Sequence, residues 1–577
     1  MKKKTKPTLV RNPSPGITNQ INNITARHFW LLLIIITILG FTLRAIDLRA
    51  DPPPDLSWSF APYTDESLNT YSARNFVLYG KWQTDDFLPF VVYPLVNIIN
   101  ALIFKLLGIG FVQVKILSLI AGMLTIFLIA LFLREETGNT SALLTGLILS
   151  TCYPLLMYNR LGLVEPVQIL FLILTGLFWL KGLKRPYLMI FSGFFAAGTV
   201  LLIKISAIFI IPTVFIMFLG EFIKYRFSRK LLPILLFFIT GVAVAALCWF
   251  LAVFLPYRHQ YIRYILRHSS ESPAGHPKTL PAYLLNTFTF GLRSKLIPRM
   301  LWVGTIGYLS LPWLALTRKT VFRYTLLWFI FGLFMLGYMN YRPTRYEIIL
   351  LPCLIIGASA ALNELLTNGT ILPPFKPTIS QTLIYSLWLW PPVLQLLFYI
   401  TKFRLYPQPS NELGVLILAL TISLTVAFTI RLVLGKIPAG IALQSPPLRI
   451  ITILIFFLLI FRLDFNQFSV WFNNRTYNLI TYSRQLDQLL PPDAVIAGPW
   501  APPLMIESKK RAIAITDWAN INDPVNRFGL THLVIGEGET DHLLIKKLNP
   551  QLLQNSSPLI QFRIRGQLIR VITLPAS

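Results

Sequence analysis

The sequence predicts an α-helical polytopic membrane protein with about thirteen transmembrane helices, a re-entrant or surface helix, and a small soluble α/β domain at the C-terminus. Three observations predict it. Over half of the 577 residues (54%) are hydrophobic and only 13% are charged, and mean hydropathy is +0.61, more apolar surface than a water-soluble fold can bury. Nearly uncharged stretches such as Phe29–Phe41, Ile116–Leu133 and Ile450–Phe461 approach, with their flanks, the roughly 20 residues a helix needs to cross about 30 Å of hydrocarbon. From residue 464 onward the composition changes to short strand-like runs punctuated by turns. The apolar stretches lack the period-2 alternation of lipid-facing strands, which argues against a membrane β-barrel.

Residues 1–27 are basic, and the apolar helix that follows is long for a signal sequence and has no small-residue cleavage site after it. It reads as a retained signal anchor with a cytoplasmic N-terminus. The net charge of +28 would suggest nucleic acid in a soluble protein. Here Lys and Arg gather between apolar segments, where they set topology and meet anionic lipid, so no nucleic-acid partner is expected. Cys152, Cys248 and Cys353 lie in or beside apolar segments, which predicts neither a disulfide framework nor a thiolate metal site.

The basic clusters Lys181/Lys184/Arg185, Lys224/Arg226/Arg229/Lys230, Arg318/Lys319/Arg323 and Arg431/Lys436/Arg449 all belong on the cytoplasmic side by the positive-inside rule. An even number of apolar segments separates successive clusters. The first interval breaks this pattern, with segments at 28–47, 88–107, 112–133, 140–158 and 163–181. The segment at 88–107 carries Pro89, Pro94, Asn97 and Asn100 and runs into Gly108, so it is expected to enter the membrane without traversing it. Residues 28–463 then form the membrane domain, with a first exterior loop at 48–111, and residues 464–577 form an exterior domain of a multi-pass plasma (inner) membrane protein. In that domain Val495–Ala497, Ala512–Ile515, Leu533–Ile535 and Leu568–Leu574 read as strands, and 475–490 and 541–548 as helices. No nucleotide-binding glycine pattern occurs anywhere.

The loops assigned to the exterior share a chemistry. In Tyr63-Thr64-Asp65-Glu66-Ser67 a helix is expected to start, with Thr64 as N-cap and both carboxylates in the first turn. The helix dipole would favour an ionised Asp65 able to accept a proton from a hydroxyl, although acidic residues in a first turn are also ordinary helix-start chemistry. Glu165, preceding Pro166, borders hydrocarbon, where a carboxylate is costly; pairing with Arg160 and a functional role are the alternatives. Lys204 divides two apolar runs at an exterior turn and either snorkels or functions. Arg342 and Arg345, in Asn340-Tyr341-Arg342-Pro343-Thr344-Arg345-Tyr346, also sit where the topology rule predicts few cations, and Arg258, His259 and Arg263 add more from the 257–295 loop. Such cations suit a lipid phosphate at the membrane surface.

At these residues the sequence resembles the polyprenyl-phosphate-sugar-dependent glycosyltransferases of the GT-C superfamily, especially protein O-mannosyltransferases and lipid A aminoarabinose transferases. The resemblance covers most of the chain: Asp65-Glu66 before a surface helix, a proline-containing half-helix at Phe87–Gly108, Arg160 to Glu165, the Leu-Ile-Lys204 turn, Arg342-Pro-Thr-Arg345-Tyr346, and a final domain containing Ala497-Gly-Pro-Trp-Ala-Pro-Pro503. Val92-Tyr93-Pro94 stands where family members commonly have a His-Pro start, and Glu165 where Asp is frequent. The resemblance implies transfer of a sugar from a polyprenyl-phosphate donor to a lipid, glycan or protein acceptor on the exterior face, with inversion. Asp65 would be the base, and Glu66 and Glu165 would orient sugar, acceptor or a cation. Lys204, Arg342, Arg345 and Tyr346 would hold the donor phosphate, with Tyr93, Arg160, Arg258 and His259 as further candidates. No cofactor is certain; some relatives bind a divalent metal ion and others work without one, and no ligand spacing decides it. The competing classes are a transporter or flippase of lipid-linked substrates, which predicts ionisable residues near the bilayer midplane in two related halves, and a scaffolding protein in which these charges are incidental.

Overall fold

Leu, Ile and Phe run on in this chain with few residues able to break a helix, and in the computed structural model each of the apolar segments is helical. The structure describes residues 23–224, 231–270, 277–290, 296–316, 319–372, 378–404, 412–434, 441–443, 445–516, 519–536 and 558–574. Arg226, Arg229, Lys230, Arg318, Lys436 and the helix expected at 541–548 lie outside them. Among the described residues, eight helices are long and apolar enough to cross a bilayer, or nine if Asn139–Thr151 and Tyr153–Asn159, bent by 64°, form one span. Phe29–Ala45, Leu301–Ala315 and Thr382–Leu397 are shorter apolar helices, and Pro446–Asn473 is a 28-residue helix leading into the C-terminal domain. Pro94–Leu107 has 14 residues, about 21 Å of helix, too short to span the hydrocarbon.

Glycines let several of these helices touch backbone to backbone. A Cβ on Gly241 would lie 1.9 Å from the Ile190 carbonyl oxygen, and one on Gly193 2.0 Å from that of Phe238, so Met189–Gly198 and Leu231–Trp249 cross at a pair of small residues. Gly307 and Gly357 do the same for Leu301–Leu316 and Leu351–Asn368.

The continuous helical run Leu231–Leu266 covers 36 residues, about 54 Å, and so projects well past the hydrocarbon. The loop expected from residue 257 therefore begins as a continuation of this helix, kinked at Tyr257.

The first loop also differs from its expected form. Its helix is Ala61–Asn69, starting after Phe60 with Pro62 in the first turn, because proline is well placed there and Thr64 is not needed as a cap. Asp65 and Glu66 thus sit mid-helix, beyond the first turn. A break at Thr70 then starts a second helix, Tyr71–Tyr79.

A short ribbon pairs β1 (Thr370–Leu372) with β2 (Ile441–Ala442). The C-terminal domain holds a five-stranded sheet of β3 (Val495–Ala497), β4 (Arg511–Ile513), β5 (His532–Gly536), β6 (Pro558–Ile564) and β7 (Gln567–Thr573), ordered β4-β3-β5-β7-β6. The first three strands are parallel, and β7 runs antiparallel to β5 and β6. The sheet docks on the first loop. Ile496, Trp500, Leu504 and Val571 share one apolar core with Tyr63, Ala73, Phe104 and Val114, and the Asp51 carboxylate accepts the backbone N–H groups of Asn478 (2.8 Å) and Leu479 (3.2 Å), capping the helix Asn478–Leu489. Arg74 donates to the carbonyls of Ser508 (2.6 Å) and Lys510 (3.1 Å).

Candidate active site

Consecutive helical residues point about 100° apart, and Asp65 and Glu66 accordingly meet different cations. Asp65 Oδ2 lies 2.7 Å from Arg345 Nε, whereas Glu66 Oε1 lies 3.7 Å from Lys115 Nζ. The helix dipole expected to keep Asp65 ionised is weak at mid-helix, and burial dominates. It pushes the Asp65 carboxyl above the usual range against the pull of Arg345, and pushes Glu66 up to about 7 against that of Lys115.

Lys204 sits where the helix gives way. The backbone leaves a π-helical turn at Thr199–Ile203, passes through Lys204 in an extended conformation, and re-enters as a 3₁₀ turn at Ile205–Phe209. The side chain does not snorkel. It is buried, 2.6 Å from Glu165 Oε1, and its ammonium lies 4.1 Å from the centre of the Tyr346 ring and 5.8 Å from that of Tyr93.

Glu165 therefore pairs with Lys204 and not with Arg160. The Arg160 guanidinium instead donates to the carbonyls of Arg44 (2.9 Å) and Asp47 (3.0 Å), at the C-terminal end of the first membrane helix, and covers the Trp471 ring at 4.3 Å.

The two arginines of the 340–346 stretch also separate. Arg345 joins the site: it pairs with Asp65, lies 4.9 Å from the Tyr346 ring centre, and its Nη1 is buried with no hydrogen-bond partner among the described residues. Arg342 turns into a buried pair with Glu347 at 2.8 Å and donates to the Asn286 carbonyl at 2.6 Å, so its charge is already matched. Sequence reasoning missed Glu347 and Lys115. Glu347 was legible as a carboxylate five residues after Arg342, and Lys115 as the lone cation opening an apolar helix.

His259 stands apart, accepting a hydrogen bond from Arg258 Nε at 3.3 Å and lining a cavity of about 700 Å³. That cavity borders Tyr264, which lies near enough to Tyr93 and Tyr346 to interact electrostatically with both. Among the described residues, no three of His, Cys, Asp and Glu gather as metal ligands; Asp65, Glu66, Glu165 and Glu347 are matched by Lys and Arg.

Buried carboxylate–cation pairs, carried by one loop and several helix ends on the side of the bundle that meets the C-terminal domain, place the chain beside known proteins. Over 95% of this chain and 98% of the other, the fold superposes on ArnT from Cupriavidus metallidurans in its apo state, with a TM-score of 0.56 at 14% identity. The fold is that of ArnT. The same protein bound to undecaprenyl phosphate matches with a TM-score of 0.55 at 13% identity, over 94% and 97% of the two chains. Residues 91–250, from the half-helix to the Leu231–Trp249 helix, match the dolichyl-phosphate-mannose-protein mannosyltransferase family. No curated protein matches the sequence.

Proposed function

We propose that this protein is a membrane glycosyltransferase that moves a sugar from a polyprenyl-phosphate donor to a hydroxyl-type acceptor on the exterior face. The observation that carries the reading is the contact between Asp65 and Arg345 beside the Lys204–Glu165 pair. It sets a largely buried carboxylate against a largely buried arginine, with the buried Lys204 on the other side of the Tyr346 ring that Arg345 also faces, as transfer from a phosphate leaving group would use. The match of residues 91–250 to a dolichyl-phosphate-mannose-dependent family and the fold shared with ArnT support the same chemistry.

Asp65 accepts the proton of the attacking acceptor, and a carboxyl raised by burial is a stronger base than one in water. The acceptor oxygen bonds to the anomeric carbon as the bond to the phosphate oxygen breaks, inverting the centre. Lys204 and the unpartnered Nη1 of Arg345 take up the charge growing on the polyprenyl phosphate. Glu165 holds Lys204 in place, Tyr346 and Tyr93 wall the site, and Glu66, paired with Lys115, fixes the loop helix. Arg342 serves the fold of this loop through Glu347. Ion pairs gathered at one end of the bundle favour transfer over transport, which needs charges at the midplane.

In this reading residues 1–27 are cytoplasmic, 28–463 form the membrane domain, and 464–577 lie outside. The test is transfer of a radiolabelled sugar from polyprenyl phosphate to membrane glycolipid or glycoprotein by the purified protein in nanodiscs. Activity lost in Asp65→Asn with donor lipid still bound supports the reading, and a protein that binds no polyprenyl-phosphate sugar ends it.

A further inference from the structure

The cavity of about 700 Å³ lies where three parts of the chain meet: the first loop, the projecting helix after Tyr257, and residues 520–527 of the C-terminal domain. None of the residues placed at the transfer centre lines it. Amide side chains recur in its lining, at Gln83, Gln260, Asn520 and Asn522, and the apolar Leu88 and Val91 stand beside them. An amide presents a donor and an acceptor side by side, which matches a sugar hydroxyl that both donates and accepts.

The walls are braced. Gln260 Nε2 donates to Gln83 Oε1 at 3.0 Å, tying the projecting helix to the loop. Asn520 is fixed by the Asp85 carboxylate (2.8 Å), the Ala514 carbonyl (2.9 Å) and the Asp86 N–H (2.9 Å). Arg527 neutralises Asp86, holding both its oxygens at 2.8 and 3.1 Å. Asn522 and Arg263 are exposed at the rim. At the inner wall Tyr264 packs in one apolar cluster with Tyr93, whose ring centre lies 5.8 Å from the Lys204 ammonium, so the cavity adjoins the transfer centre.

We infer that this cavity binds the acceptor, and that the acceptor is a neutral, hydroxyl-rich glycan selected jointly by the projecting helix and the C-terminal domain. The inference rests on the glycosyl-transfer reading for the word acceptor, while the binding itself does not. A lipid tail would need a wholly apolar wall, which this lining is not, and its four amide side chains favour a hydroxyl-rich glycan over a peptide, whose binding is an outcome of the test.

Saturation-transfer NMR on the full-length protein in nanodiscs tests it, with maltotetraose, chitotetraose, a mannotetraose and a Ser/Thr-rich tetrapeptide as probes and no donor present. At least one saccharide should receive saturation. The double variant Gln260→Leu/Asn522→Leu should weaken its binding about tenfold, the loss expected for one or two neutral hydrogen bonds, with polyprenyl-phosphate binding unchanged. Asn522→Leu alone, at an exposed position, should weaken binding in the same direction and covers the case in which the double variant misfolds. Saturation of the peptide alone, of no probe, or equally in wild type and the variants overturns the inference. Loss of donor-lipid binding by the wild type would overturn the transferase reading and leave the saccharide result standing.

Discussion

Adjacent carboxylates with different partners make separable predictions at the scale of the residue. Asp65 meets Arg345 and the site; Glu66 meets Lys115 and the body of the loop. Asp65→Asn keeps the shape but removes the base, so transfer should fall by at least about 10²-fold while donor-lipid binding persists. Near-normal transfer in Asp65→Asn with transfer abolished in Glu66→Gln would move the base to Glu66.

Glu66 also makes stability depend on pH. Its carboxyl is raised from 4.5 to about 7 in the fold, so the neutral form is the one folding favours. That contribution is complete below about 4.5 and is lost as pH rises through 7, above which the fold carries a buried charge. Glu66→Gln should therefore unfold at a higher temperature than wild type at pH 8, with the gap closing toward pH 5. Equal gaps at both pH values, by thermal melting in detergent, would remove burial as the cause.

At the scale of the element, the 340–347 stretch divides its arginines between two tasks. Arg345→Ala should weaken polyprenyl-phosphate binding and leave folding largely intact. Arg342→Ala should instead destabilise the protein, because it strands Glu347 in a buried site; breaking such a pair costs about 3–5 kcal/mol. Arg342→Met with Glu347→Leu should recover much of that stability, and donor binding lost in Arg342→Ala at full stability would restore Arg342 to the phosphate.

Helix crossings make a second prediction. With the Ile190 carbonyl 1.9 Å from a Cβ at position 241, Gly241→Val should force the helices apart and lower expression and thermal stability. Gly220→Val, where nothing lies within 4 Å, is its control.

At the scale of the whole molecule, the C-terminal domain is bound to the first loop through a shared core, the Asp51 cap and the arginine contacts, so it belongs to the same face as Asp65. If that face is exterior, an impermeant thiol reagent on intact cells should label Asn522→Cys and not Lys184→Cys in a background lacking Cys152, Cys248 and Cys353. Both positions are exposed in the fold. The reverse pattern would invert the topology and the proposed face of reaction with it.

Helices in the membrane part were legible because hydrocarbon leaves the backbone few alternatives to satisfying itself locally, and length and apolar runs therefore sufficed. Strands β3, β4, β5 and β7 were legible as short apolar runs between turns. β6 was missed although Arg565-Gly566, both at positive φ, joins two alternating runs as a two-residue hairpin. The sequence also marked Glu165, Lys204 and Arg345 as charges out of place beside apolar segments, and Asp65 as an acidic residue at a helix start in the first loop. Their partners were decided by tertiary structure alone: Glu165 by Lys204 and not by Arg160 five residues away, and Asp65 by Arg345. A charge next to hydrocarbon must be matched, which sequence reveals; which opposite charge lies within about 3 Å depends on where distant helices end, and only packing fixes that.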